Sequence, residues 1–155
     1  ILAAMAMPAY FKAVERSRMA EADTMIGTAF NAQQRYKMKT GTYATKWTSL
    51  DVAPANATAA DFYCTKGPQT DNTCGGENGF AITLGTDRVT AKRTGPTGAP
   101  YGYSLIRMYE GDDVQTHCVP GEGATADDDD LVCRDYLGLE EGETSDLLSD
   151  PTAGD

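Results

Sequence analysis

Histidine is almost missing from this chain: His117 is the only one in 155 residues. That scarcity removes the usual general base of a hydrolytic triad, and no nucleophile elbow or other catalytic signature surrounds His117. No catalytic residue and no enzymatic activity are therefore expected, and His117, next to Cys118, reads as a loop histidine beside a disulfide. Basic residues are scarce at the C-terminal end. From Cys118 to Asp155 there are 12 acidic residues against one basic residue, Arg134, so most of the net charge of −10 belongs to the last quarter. Such a surface repels phosphate backbones, whose binding needs Lys and Arg to displace counterions, and no nucleic-acid partner is expected there. It reads as a solvated face. A long apolar run is missing as well: the 11 residues before Lys12 would span only about 16 Å as a helix, against the roughly 30 Å of a bilayer core. As it stands, that segment is too short to cross a membrane.

The four cysteines fall into two local pairs, Cys64 with Cys74 and Cys118 with Cys133, although the sequence permits three connectivities. The two local bridges are preferred. Nine and 14 residues intervene, unlike the two to four of a zinc knuckle, and one imidazole is too few to help, so zinc is not expected. Disulfides place the chain in an oxidising compartment, and closing a loop of this size contributes about 3 kcal/mol on the chain-entropy model. Asp127, Asp128, Asp129 and Asp130 are candidate calcium ligands, because hard cations favour clustered carboxylates, although the D-x-D-x-D-G loop pattern is missing. Asp71, Asn72, Glu77 and Asn78 form a second oxygen-rich group that turn chemistry explains. Asn56-Ala57-Thr58 fits the glycosylation sequon. Apart from calcium, no cofactor is expected.

From Ile1 to about Lys39 the residues are mostly good helix formers, interrupted by Pro8 and Gly27, and one long helix is expected. Beyond Lys12, Met19, Ala22, Ile26, Ala29, Phe30 and Tyr36 recur at steps of three and four, with Glu15, Arg18, Glu21 and Arg35 between them. That half is amphipathic. Before Lys12 there is no polar face, so the first turns need apolar surroundings on every side, from lipid or from other protein chains. Pro8 frees the carbonyl of Ala4 and is expected to kink or open the helix there, at a cost of about 3 kcal/mol. Thr40-Gly41-Thr42 ends the helix, and residues 43–79 read as an irregular connection anchored by Trp47, Leu50, Phe62 and Tyr63.

Three strand-like runs follow, Phe80 to Leu84, Arg88 to Thr94 and Tyr101 to Tyr109, with Gly85-Thr86-Asp87 turning between the first two. They predict an antiparallel meander with Phe80, Ile82 and Leu84 on one face, and Tyr101, Tyr103, Leu105 and Arg107 on one face of the third run. The stretch from Cys118 to Cys133 is expected to be a stapled loop, and the segment after Leu139 to be acidic and loose. The expected fold is thus α+β: a long N-terminal helix packed on a small antiparallel sheet. Residues 1–14 form its apolar extension and residues 15–155 a single head.

Ile1-Leu2-Ala3-Ala4-Met5-Ala6-Met7-Pro8-Ala9-Tyr10 closely resembles the second half of the N-terminal segment of type IV pilins and of type II secretion pseudopilins. Ala32-Gln33-Gln34, Tyr36 and Gly41-Thr42-Tyr43 are similar to that family's helix end and the turn after it. The resemblance covers roughly the first 43 residues and beyond them rests on architecture alone. It implies a precursor cut by a prepilin peptidase, held in the inner membrane by its helix, and then polymerised by the pilus assembly machinery with the helices buried in a filament core. Pro8 matches the family's helix-breaking proline, near which the helix is often partly unwound in filaments. The family's first residues, its methylated terminal phenylalanine and nearby glutamate, have no counterpart here, so processing or truncation is expected to have removed a piece. About 14 more apolar residues upstream would supply the length that a bilayer needs.

The expectation is a structural subunit of an extracellular, cell-surface type IV pilus serving attachment, motility or uptake. Ile1, Leu2, Met5, Met7, Pro8, Tyr10, Phe11 and Val14 would meet neighbouring copies. The alternatives are a type II secretion pseudopilin and, in another class, a monomeric secreted calcium- or ligand-binding module whose helix packs internally. Two disulfides suit a fibre exposed outside the cell.

Overall fold

The run of helix formers folds as one element, α1 (Leu2–Thr40), in a computed structural model of the chain. The structure describes residues 2–52, 72–75, 79–94, 102–121, 126–140 and 142–151, and within them all side chains except those of residues 2–9, 11, 74, 75 and 126–129. The helix runs through Pro8 without interruption, so the opening expected at Ala4 is not seen in the single chain. Proline costs least near a helix start, where few intrahelical bonds exist to be lost. At the other end Gly41 takes φ +83° and its N–H donates to the Lys37 carbonyl at 2.7 Å, a left-handed cap that a side chain would strain.

Met19, Ala22, Ile26, Ala29 and Phe30 are all buried along one stripe of α1, as their spacing predicts, and Tyr36 packs partly against the same core. They face a five-stranded antiparallel sheet in simple sequential order: β1 (Thr73–Gly75), β2 (Phe80–Leu84), β3 (Arg88–Arg93), β4 (Ser104–Glu110) and β5 (Asp113–Val119). The α+β class and the meander are as expected. Strand β2 matches the sequence reading residue for residue, and β3 and β4 match it to within a few residues at their ends.

Register explains the core. Ile82 pairs with Ala91, Ala91 with Leu105 and Leu105 with Cys118, so one cross-strand row of buried side chains lies under α1. Small residues on both sides, Ala22 and Ala29 on the helix and Ala91 on the sheet, have no exposed surface and let the two layers approach closely. Gly27 has a similar use. A Cβ there would lie 2.6 Å from Nη1 of Arg107, which crosses the helix at that point.

Two expectations are corrected in the C-terminal third. The stretch between Cys118 and Cys133 is not a loop: it contains the end of β5 and most of a second helix, α2 (Ala126–Leu137). Val132 and Cys133 are buried, and Tyr136 and Leu137 pack against the core, a spacing of one and four that forms a helical stripe. Asp127 to Asp130 occupy the first turns of α2, near the positive end of its dipole, where acidic residues are stabilising. Gly138, at φ +72°, ends it, with Leu139 N–H donating to the Arg134 carbonyl at 2.9 Å. In the segment after Leu139, the described residues 142–151 are not loose either. Its 3-10 turn, Asp146–Leu148, is capped by Ser145 and packs against β5, with Leu148 touching the core.

Candidate assembly surface

Along the part of α1 whose side chains are described, from Tyr10 on, burial sets in at Glu15. Among the described side chains, Tyr10 is 66% exposed, Lys12 and Ala13 are exposed, Val14 is half-buried, and Glu15 is the first to be buried. Of the proposed interface residues, Leu2, Met5, Met7, Pro8 and Phe11 lie on the same helix with side chains outside the described set, and Ile1 lies outside it altogether. The thirteen residues from Leu2 to Val14 make about 20 Å of helix ahead of Glu15. No helix among the described residues is long and apolar enough to cross a membrane.

Glu15 anchors the start of the head. Its Oε1 accepts from Arg93 Nε at 2.6 Å and from the Tyr103 hydroxyl at 2.7 Å, and its Oε2 accepts from Arg93 Nη2 at 3.3 Å. All three residues are buried. Arg93 Nη1 donates to the Gly79 carbonyl at 2.9 Å and to that of Thr94, while its guanidinium lies 5.6 Å from the Phe80 ring centre. A buried charge must be paired and hydrogen-bonded, and this one is satisfied by the end of β3 and by Tyr103, just ahead of β4, together. The sequence reading missed the cluster. Its signal was available: Glu15 lies four residues before Met19, on the stripe that goes on through Ala22 and Ile26 to the core, so a carboxylate there required a buried partner.

A second cluster joins the middle of α1 to both other layers. Arg107 on β4 donates from Nη2 to Asp23 at 2.8 Å and from Nε to the Thr116 hydroxyl at 2.9 Å, and the Tyr136 hydroxyl of α2 donates to the same Asp23 oxygen at 2.6 Å. Burial, then the hydrogen bond to Asp23, push the Tyr136 phenol well above its ordinary range. On the surface, Arg16 forks onto Asp135 of α2 at 2.9 and 2.7 Å. Arg35 does the same to Asp51, and that hydrogen bond holds the Asp51 carboxyl below the usual range. At the helix end, Gln33 pairs both ways with the Ala44 backbone, at 2.9 and 2.8 Å, fixing the chain after the Gly41-Thr42-Tyr43 turn.

Cys118 of β5 and Cys133 of α2 form the expected disulfide, with Cα atoms 5.3 Å apart. Cys64 lies outside the described residues and Cys74 is placed by its backbone alone, on β1 opposite Ile82, so the second bridge also lies outside them. The calcium candidates Asp127, Asp128 and Asp129 have side chains outside the described set. Asp130 accepts from Arg134 Nε at 2.6 Å. Among the described residues no group of three or more His, Cys, Asp or Glu side chains is placed to hold a metal. Asn56, Asp71, Glu77 and Asn78 lie outside the described residues, while the Asn72 carbonyl accepts from Trp47 Nε1 at 3.1 Å and from Leu84 N–H at 2.8 Å. His117, expected in a loop, is buried in β5. Comparison of the chain with family models, curated proteins and solved structures finds no match.

Proposed function

We propose that this chain is a structural subunit of an extracellular filament of the type IV pilin kind, assembled by burying the N-terminal turns of α1 among the helices of neighbouring copies. The observation that carries this reading is the apolar start of a long helix: α1 begins at Leu2, and among the side chains described from Tyr10 on the first to be buried is Glu15. The residues ahead of that point are apolar around the whole helix except Lys12, and they carry the ILAAMAMPAY run. Complete burial of Leu2, Met5, Met7, Tyr10, Phe11 and Val14 would contribute on the order of 10 kcal/mol per subunit before ordering costs. The Cys118–Cys133 bridge accords with an oxidising exterior.

Met7→Asp and Phe11→Asp test this directly, because a carboxylate without a partner in a filament core is strongly unfavourable. Both variants are expected to lose fibres in electron micrographs while the head keeps the wild-type melting behaviour. Normal fibres from both would count against the packing. In a deletion strain, loss of long surface fibres is expected of a pilus subunit, and a secretion defect with no such loss would assign the chain to a pseudopilus.

A further inference from the structure

The outer face of the sheet, turned away from α1, is capped by the C-terminal segment at the one histidine of the chain. On that face Thr73, Thr83, Thr90, Ile106 and His117 pair in a row across the five strands, and its β4–β5 end is buried. The His117 imidazole, 3% exposed, sits between two oxygens. Nδ1 lies 3.1 Å from the carbonyl of Ser149, and Nε2 lies 2.7 Å from Oε1 of Glu110, whose own side chain is 45% exposed.

A carbonyl oxygen only accepts, and so does an ionised carboxylate. Both contacts therefore hold together only when Nδ1 carries a proton and a second proton sits between Nε2 and the Glu110 carboxylate. A neutral ring beside an ionised Glu110 turns one lone pair onto one of these oxygens. The charge-assisted bond to Glu110 is the stronger, so the contact given up is the one to Ser149. We infer that His117 is a proton-operated latch: its doubly protonated ring ties the end of the C-terminal 3-10 segment to β5 through the Ser149 carbonyl, and loss of the ring proton loosens that end while Leu148 keeps its place against the core.

The sign follows from where the proton is bound. The clamped form holds a proton that the loosened form does not need, so loss of that proton favours loosening. Among the described residues, the charged groups around the ring are few. Strand β4 contributes Glu110, and β5 contributes Asp113 at the exposed hairpin end. The C-terminal segment brings Asp146 and Asp150, both exposed. From α2, Asp130 is taken by Arg134, which also donates to the Glu143 carbonyl and holds the front of the segment in place. Loosening is thereby confined to the stretch behind Glu143.

The latch belongs to the head and does not depend on filament assembly. Its test uses the full chain in detergent micelles, labelled with nitrogen-15, in which the single histidine gives an unambiguous ring signal. Ring nitrogen shifts and amide protection of Leu147, Leu148 and Ser149 are followed across pH, with protection normalised for intrinsic exchange. The expected result is an imidazolium signature wherever the segment is protected, and a fall in protection of about tenfold or more as the ring proton leaves. Glu110→Gln, at a half-exposed position that tolerates change, should move both transitions together to lower pH. His117→Gln should lower protection and remove its pH step. Protection that stays level through the ring titration, or a Glu110→Gln ring that titrates where wild type does, would overturn the inference.

Discussion

Replacing Glu15 by alanine removes the acceptor shared by Arg93 and Tyr103, and every atom left behind is buried. The Arg93 guanidinium loses two bonds, at 2.6 and 3.3 Å, and the Tyr103 hydroxyl loses its bond at 2.7 Å. Breaking a buried pair from one side costs about 3–5 kcal/mol, because the remaining charge stays desolvated. Arg93 keeps its carbonyl acceptors on Gly79 and Thr94 and its place over the Phe80 ring, so the low end, about 3 kcal/mol, is expected. For a domain of this size that lowers the melting temperature by about 10 °C. Trp47, the one tryptophan, is 3% exposed and reports the loss of packing by its fluorescence in the full chain. The double variant Glu15→Leu with Arg93→Met removes both charges and should recover at least half of the loss. A Glu15→Ala protein within about 1 kcal/mol of wild type, or a double variant costing as much as the two single ones added, would refute the anchoring role.

Two further outcomes are expected. Double Cys118→Ser and Cys133→Ser substitution frees α2 from β5, lowers stability by about 2–5 kcal/mol in the same melting experiment, and impairs fibre formation. Tyr136 holds its proton more tightly in the folded chain than in the unfolded one, so its contribution is complete below pH of about 10 and declines as pH rises beyond it. Tyr136→Phe should flatten that alkaline decline relative to wild type, and parallel stability curves above that pH would contradict the Asp23 contact.

What the sequence disclosed follows from how strongly each element is patterned. The stripe from Met19 to Phe30 and the alternation of Phe80, Ile82 and Leu84 are periodic over enough residues to fix the element and its buried face. Strand β5 hides the same alternation because it is the edge strand: Asp113 and Val114 are exposed, and its buried positions are His117 and Cys118 rather than aliphatic residues. Helix α2 was obscured by four consecutive aspartates, which read as a charge run, although they complement a helix start and precede the stripe of Val132, Cys133, Tyr136 and Leu137. The placing of the C-terminal turn involves a contact between His117 and Ser149, 32 residues apart in sequence, that carries no periodicity. The apolar start of α1 is the opposite case. Its need for apolar surroundings is plain from its residues, and neighbouring copies are proposed to supply them.

Electron cryomicroscopy of native assembled material tests the central claim most directly. The account predicts fibres in which the Leu2–Val14 turns of many copies pack together along the axis, with Glu15 at the boundary between that core and the heads. A protein that stays a dispersed monomer at every stage, or fibres whose axis is built from the heads with these turns lying outside, would contradict it.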